Sequence, residues 1–221
     1  QTRRVPRLHA QAGEAWRTKQ SAAAGKRPKY CQLTVGMLIP FPENPAENIL
    51  PFDGDAYYYR QAFSQEVGDA VFDQLLHTID WKQDEIIMFG KKIITKRKVG
   101  WYGDLPFVYT YSHSAKKALP WNDVLKNIKS IAEKHTGKSF NSCLLNLYHD
   151  GQEGMSWHSD DEDTLEPDAS IVSISFGAAR KFSFQHKTNK TSQSILLENG
   201  SLLVMESNVQ KNWLHALPKS K

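Results

Sequence analysis

The sequence predicts a mainly β domain buttressed by helices, an α+β arrangement organised as a sandwich or jelly roll. Two changes of pattern carry this expectation. Up to Gly137 the clearest apolar periodicity is helical, and beyond Gly137 it gives way to short apolar runs separated by turn residues. From Ser64 to Ile79, the residues Val67, Val71, Leu75 and Ile79 recur every four positions, with Ser64 placed as N-cap and Glu66 in the first turn. This predicts a helix with one buried face. A second helix is expected after Pro120, with Val124, Leu125, Ile128 and Ile131 on one stripe and Gly137 placed to end it. It should cover one side of a sheet. The runs Ser142–Tyr148, Ser170–Phe176, Lys181–Gln185, Ser194–Leu197 and Ser201–Met205 then read as short antiparallel strands, with Gly177, Asn189 and Gly200 between them. No internal repeat is visible.

Composition divides the chain. Residues 1–30 carry eight Lys or Arg against the single acid Glu14, whereas residues 31–221 carry 20 basic and 23 acidic side chains. The net charge of +4 is therefore a tail effect, +7 offset by −3. A segment this basic, with little apolar periodicity, is expected to be a disordered tail able to hold polyanions loosely. Residues 31–47 read as an irregular connector rich in Pro and Asn, and 48–221 as the folded domain, with helices in 48–140 and the β core in 141–221. At 221 residues and 40% hydrophobic content the chain can bury a sizeable core. Two distant cysteines, Cys31 and Cys143, fit no metal-spaced cluster, and no stretch approaches the roughly 20 apolar residues of a membrane span. These features point to an intracellular monomer, cytoplasmic in a bacterium or nuclear in a eukaryote, with no membrane partner.

One constellation carries chemistry. His158-Ser159-Asp160, followed 55 residues later by His215, offers two imidazoles and a carboxylate, a donor set that holds one face of a ferrous ion and leaves positions open. On an extended segment His158 and Asp160 project to the same side, and His215 must come from a neighbouring strand. An isolated H-x-D is more often a polar turn. A second candidate is Lys91-Lys92-Ile93-Ile94-Thr95-Lys96-Arg97-Lys98, five cations with no acid, suited to a phosphate backbone.

The blocks around the triad resemble a known family. Asn146-Leu147-Tyr148, then Ser156-Trp157-His158-Ser159-Asp160-Asp161-Glu162, Ser173-Ile174-Ser175-Phe176-Gly177 and Asn199-Gly200-Ser201-Leu202-Leu203 before His215 are similar to the successive blocks of the AlkB family. These are iron(II)- and 2-oxoglutarate-dependent dioxygenases that remove alkyl lesions from nucleic-acid bases. The resemblance covers about Asn48 to Lys221 and implies a double-stranded β-helix (jelly-roll) core. It implies that His158, Asp160 and His215 bind Fe(II), and that Asn146 and Tyr148 bind 2-oxoglutarate, with O2 as the other cosubstrate. On the substrate side it implies a nucleotide-recognition lid within 48–140. There Trp101, Tyr109 and Tyr111 would serve a base turned out of the helix, Tyr111 by stacking against it and Tyr109 at its backbone or polar edge. Glu162 would face the cationic lesion. Phe89 would wedge into the stack of a duplex, while Lys91, Lys92, Arg97 and Lys98 hold phosphates. The simpler alternatives are a core Phe89, a half-buried core Tyr148 and a solvated acidic loop at Asp161, Asp163, Glu166 and Asp168.

The sequence also departs from the family. There a further strand follows with two arginines, one pairing with the far carboxylate of 2-oxoglutarate. After Pro218-Lys219-Ser220-Lys221 the given sequence holds neither, so the last strand is expected to be missing and an edge of the barrel exposed. The reading that results is oxidative demethylation of 1-methyladenine- and 3-methylcytosine-type bases in DNA, duplex favoured, with RNA as an alternative, releasing formaldehyde and succinate. Its rival is a nucleic-acid-binding remnant of the same fold without turnover. A zinc hydrolase using the same triad is disfavoured, since no separate general base stands at helical spacing from a histidine.

Overall fold

A computed structural model of the chain describes residues 7–12, 47–88, 91–106, 108–111, 114–160 and 168–220. In chain order the elements are β1 (Arg7–Ala12), β2 (Ala56–Tyr59), α1 (Gln65–Thr78), β3 (Lys82–Met88), β4 (Lys91–Gly103), β5 (Val108–Tyr111) and β6 (Ser114–Lys117). There follow β7 (Leu119–Pro120), α2 (Asp123–Thr136), β8 (Ser142–Leu147), β9 (Met155–His158), β10 (Ile171–Phe176) and β11 (Arg180–His186). The chain closes with β12 (Ser192–Leu197), β13 (Ser201–Met205), α3 (Ser207–Asn212) and β14 (Trp213–Leu217).

Both expected helices form where the periodicity places them. The Ser64 hydroxyl accepts from the Val67 amide at 3.3 Å and caps α1, and the Asn122 side chain accepts from the Leu125 amide at 3.0 Å and caps α2. Helix α2 stops because Gly137 adopts φ +64°, a left-handed conformation that costs glycine little. The stripe Val67, Val71 and Leu75 and the stripe Val124, Leu125 and Ile128 are both buried. They meet alternate residues of three sheet strands: Cys143 and Leu145, then Val172, Ile174 and Phe176, then Leu202 and Val204. A side chain such as Leu125, with none of its surface exposed, contributes about 2 kcal/mol by burial.

The main sheet runs β2-β13-β10-β1-β8-β4-β3, with β7 paired to β4, and the second sheet runs β12-β11-β14-β9. Neither sheet closes on itself. The face of the main sheet turned from the helices packs on the second sheet: Tyr148, Ile171, Leu203 and Met205 meet Phe182, Phe184, Leu197, Trp213 and Leu217. Three layers result, helices on one side, the main sheet in the middle and the small sheet on the other.

One expectation meets a different arrangement. Six residues of the basic leader, Arg7–Ala12, form β1, which lies parallel to β8 on one side and to β10 on the other. Their sequence alternates polar and apolar (Arg7, Leu8, His9, Ala10, Gln11, Ala12), the period of a strand, but the surrounding charge hides it. The helix core gives a direct check: Leu125→Ala is expected to lower stability by about 2–5 kcal/mol in urea unfolding, whereas less than ~1 kcal/mol would show that α2 does not anchor the main sheet.

Candidate metal centre and its surroundings

Strand pairing brings the two histidines together. Strand β14 runs antiparallel to β9 with His215 directly opposite His158, and a register shift follows before Leu217 meets Met155. Opposite residues on paired strands share a face, so the rings lie side by side, 4.2 Å between centroids. The His158 Nδ1–H donates to the Ser156 carbonyl at 2.8 Å, which fixes the tautomer and leaves Nε2 as a lone-pair donor for a metal. His158 Nε2 stands 3.8 Å from Asp160 Oδ1, and His215 Nε2 stands 3.6 Å from Asp160 Oδ2. The ligand atoms of the three side chains lie within 4.8 Å of one another. Two imidazole nitrogens and a carboxylate oxygen so disposed suit a divalent transition metal.

Asp160 is not on the strand. Strand β9 ends at His158, and Asp160 sits in the irregular segment beyond it, its amide donating to the Gln210 side chain at 2.9 Å. Gln210 lies near the end of α3, immediately before β14, so one hydrogen bond ties the carboxylate's loop to the strand that carries His215. Phe182 on β11 covers His215, its ring stacked at 5.5 Å and 25°. Asp160 and His215 are buried, and His158 is partly open to solvent. Sequence reading missed Gln210 and Phe182. Gln210 offers no signal, whereas Phe182-Ser183-Phe184 at period two could have marked an inward-facing strand.

Asn146 and Tyr148 lie at the parity opposite to the helix-facing Leu145. Asn146 is 3% exposed, and its Oδ1 has no hydrogen-bond partner among the described residues. Tyr148, one residue past β8, is fully enclosed, and burial raises its phenol pKa, opposed by the neighbouring Arg97 and Arg180. It therefore stays a neutral hydroxyl. Arg97 reaches it by a side-chain hydrogen bond.

Arg97 requires a correction. A phosphate contact needs an exposed guanidinium, but Arg97 is 7% exposed, with Nη2 donating to Asp84 and Nη1 3.4 Å from the Met155 sulfur. Burial acts to lower its pKa, and Tyr148 and Asp84 together outweigh that and raise it. It props the phenol instead. Asp84, 2% exposed, gives no sequence signal in Gln83-Asp84-Glu85, because only the fold turns it inward. Arg180 is a second internal cation: Nη2 donates to the Glu153 carbonyl at 2.8 Å and the Pro218 carbonyl at 3.1 Å, with the guanidinium 5.8 Å from the Tyr148 ring centre.

Among the other substrate-side candidates, Trp101 is 7% exposed and packs with Ala118 and Leu144, which leaves little of its ring open to stack on a base. Tyr109 and Tyr111 lie on β5, opposite Lys116 and Ser114 of β6, their side chains outside the described residues. Phe89 and Glu162 lie outside the described residues altogether, as do Asp161, Asp163 and Glu166. Asp168 is exposed and pairs with Lys211 at 3.1 Å.

The family model described as the 2OG-Fe(II) oxygenase superfamily matches residues 55–221. The chain belongs to this family. Within it the chain is AlkB-like. It is 40% identical over 161 residues to bovine alpha-ketoglutarate-dependent dioxygenase alkB homolog 3, covering 68% of this chain and 56% of that protein. To human DNA oxidative demethylase ALKBH2 it is 33% identical over 174 residues, 74% of this chain and 67% of that protein. The mouse ALKBH2 is 32% identical over 190 residues, with 81% and 80% covered. The chain thus spans about half the length of the alkB homolog 3 proteins it matches. The solved structure of OsALKBH1 superposes with a TM-score of 0.50 over 75% of this chain and 86% of that one, at 11% identity, a likeness of jelly-roll fold.

The buried pair beneath Tyr148 generates an expectation outside catalysis. Arg97→Ala removes the guanidinium partner of Asp84, and stability is expected to fall by about 3–5 kcal/mol in chemical denaturation, with Arg97→Lys recovering only part. A loss below ~1 kcal/mol would show that the pair does not hold this corner together.

Proposed function

We propose that the chain is an Fe(II)- and 2-oxoglutarate-dependent dioxygenase that oxidatively demethylates alkylated bases of the 1-methyladenine and 3-methylcytosine type. The observation that carries this reading is the convergence of His158, Asp160 and His215 within 4.8 Å, produced by the pairing of β9 with β14. The names of the relatives support it, since one group is alpha-ketoglutarate-dependent and the other acts as a DNA oxidative demethylase.

The three ligand side chains would hold the iron. When bound with 2-oxoglutarate and O2, the iron would supply the oxidising power to hydroxylate an N-methyl group, which would leave as formaldehyde while the cosubstrate loses carbon dioxide to become succinate. The chain's own residues do the rest. The Ser156 carbonyl keeps the His158 proton on Nδ1, so that Nε2 is always the free donor. Gln210 holds the Asp160 backbone, and Phe182 shields the buried face of His215 from water. Tyr148, neutral and braced by Arg97, presents a hydroxyl to a carboxylate, and the Asn146 amide is available beside it.

Duplex DNA is the partner we favour, with RNA a second possibility. Strand β4 carries Lys96 and Lys98 around the inward-turned Arg97, with Lys96 exposed, as is Ile94 at 56%. Cations on that face suit phosphates, which give affinity, while the pocket selects the lesion. No described helix is long and apolar enough to cross a membrane. The chain is proposed to act as a monomer inside the cell, in the cytoplasm of a bacterium or the nucleus of a eukaryote.

Incubation with iron, 2-oxoglutarate and methylated oligonucleotides should release succinate and formaldehyde and reduce the oligonucleotide mass by one methylene. Absence of all three products with every substrate, single-stranded and duplex, RNA and DNA, sinks the proposal. Asp160→Ala should weaken Mn(II) binding by more than about 100-fold in calorimetry. Lys96→Ala should weaken DNA binding uniformly across sequences and reduce the slope of log affinity against log salt by about 1, and an unchanged slope would remove β4 from the interface.

A further inference from the structure

Strand β9 is longer than the gap it fills. On β14 the step from Leu217 to His215 is two residues, whereas on β9 the step between their partners, Met155 and His158, is three, and the register shifts between the two pairs. One residue of β9 is therefore surplus, a β-bulge. The side chains agree with this count. Met155 packs against the core between the sheets, its sulfur 3.4 Å from Arg97 Nη1. His158 faces the same way, because His215 opposite it shares the parity of Leu217 in that core. Residues three apart on a regular strand would face opposite ways. Between them Ser156 and Trp157 are both exposed, two consecutive residues turned outward, with Trp157 at 43%.

The surplus residue frees a carbonyl. In a regular strand the C=O groups lie near the plane of the sheet while the side chains stand across it, so an imidazole does not meet the carbonyl two residues back. Here His158 Nδ1 donates to the Ser156 carbonyl at 2.8 Å. Among the described strands β9 pairs only with β14, so the bulge disturbs a single ladder. Two anchors keep the extra residue in place. Upstream, Arg180, 6% exposed, donates through Nη2 to the Glu153 and Pro218 carbonyls and ties the chain before β9 to the chain after β14. The Ser220 amide donates to the Gly151 carbonyl at 2.7 Å, and Gln152 Nε2 to the Ser220 carbonyl at 3.1 Å. The two segments run so close that a Cβ on Gly154 would overlap the Leu217 carbonyl. Downstream, Gln210 holds the Asp160 amide. With both ends fixed, the surplus residue cannot slide out of the strand.

We propose that the bulge at Ser156-Trp157 orients His158 for metal binding by turning the Ser156 carbonyl onto its ring, and that Arg180 is the positioning residue that holds the bulge. Without the Arg180 anchor, Ser156 can move opposite Leu217 and the strand becomes regular. His158 then still faces His215, but its ring has lost the carbonyl that oriented it. That a metal benefits rests on the dioxygenase reading above, whereas the bulge stands on the strand register alone.

The test compares the full chain with a deletion of Trp157, with Trp157→Ala, which keeps the residue count, and with Arg180→Met. Nitrogen-15 NMR of the metal-free proteins at one alkaline pH reads which ring nitrogen of His158 carries the hydrogen, and calorimetry reads Mn(II) affinity. The unaltered chain and W157A should hold the hydrogen on Nδ1. The deletion and R180M should move it toward Nε2 and weaken Mn(II) binding by about 10-fold or more, while the amides of β14 stay protected from exchange. Leu125→Ala, destabilised in the helical layer, should keep the Nδ1 hydrogen and the affinity, which separates positioning from stability. A deletion that keeps both overturns the role of the bulge. So does a W157A that behaves like the deletion, since the indole and not the extra residue would then matter. R180M indistinguishable from the unaltered chain removes Arg180 from the device. Should the deletion not fold, R180M carries the test; should R180M not fold, Gly154→Ala, which pushes the same two segments apart, replaces it. Failure of the unaltered chain to bind Mn(II) refutes the metal reading, while the ring nitrogens still judge the bulge.

Discussion

The pairing of β9 with β14 is the constraint on which everything else depends. These strands meet with His158 opposite His215, and nothing in the local sequence of either could place the imidazoles 4.2 Å apart without that register. A slip of one residue would turn one of the two rings to the opposite face of the sheet. The register is secured from outside the pair. Trp213, wholly buried in the core between the sheets, fixes the start of β14, Arg180 grips the Pro218 carbonyl beyond its end, and the α3 segment links the Asp160 amide to the same strand. The metal ligands are thus the visible end of a packing arrangement in which aromatic burial, one internal guanidinium and one amide hydrogen bond each remove a way for the strands to slide.

The main sheet divides its labour by face. Residues at one parity, such as Leu145, Ile174 and Leu202, bury hydrocarbon against α1 and α2 and supply most of the cohesion. Residues at the other parity include Asn146, Ser175 and Ser201, polar groups that a purely structural sheet would have no reason to bury. The helical layer therefore compensates for a chemically costly inner surface. Arg97 and Asp84 illustrate the same economy: an ion pair removed from water stabilises little by itself, but it gives the Tyr148 hydroxyl a fixed partner in a cavity where water could not do so reliably.

Much of this was legible in the sequence, for identifiable reasons. Helices α1 and α2 announce themselves through four-residue spacing and caps, and β8, β10, β11, β12 and β13 through short apolar runs within a residue or two of their ends. The triad was legible because metal ligation demands few residue types and the surrounding blocks restrict chance. What stayed hidden depends on long-range placement. Arg97 sits in a run of cations and reads as a surface contact, and only the pairing of β4 with β8, Lys98 opposite Leu147, brings it beside Tyr148. Trp101 similarly looks like a stacking ring until Ala118 and Leu144 enclose it. Strand β1 was lost in the charge of its neighbours, since a composition averaged over thirty residues cannot reveal a six-residue alternation.

That strand also sets an order of events. Leu8 pairs with Cys143 and with Val172, 135 and 164 positions further along the chain. In synthesis β1 precedes the strands that receive it by more than a hundred residues, and closing such loops is slow because their entropy must be overcome before any contact forms. Strand β1 is in this way made before its partners and seated only after them. Until it is, the gap between β8 and β10 is an open strand template, so the half-finished molecule carries its greatest risk of joining a neighbour at the same place where the finished one is most tightly sealed.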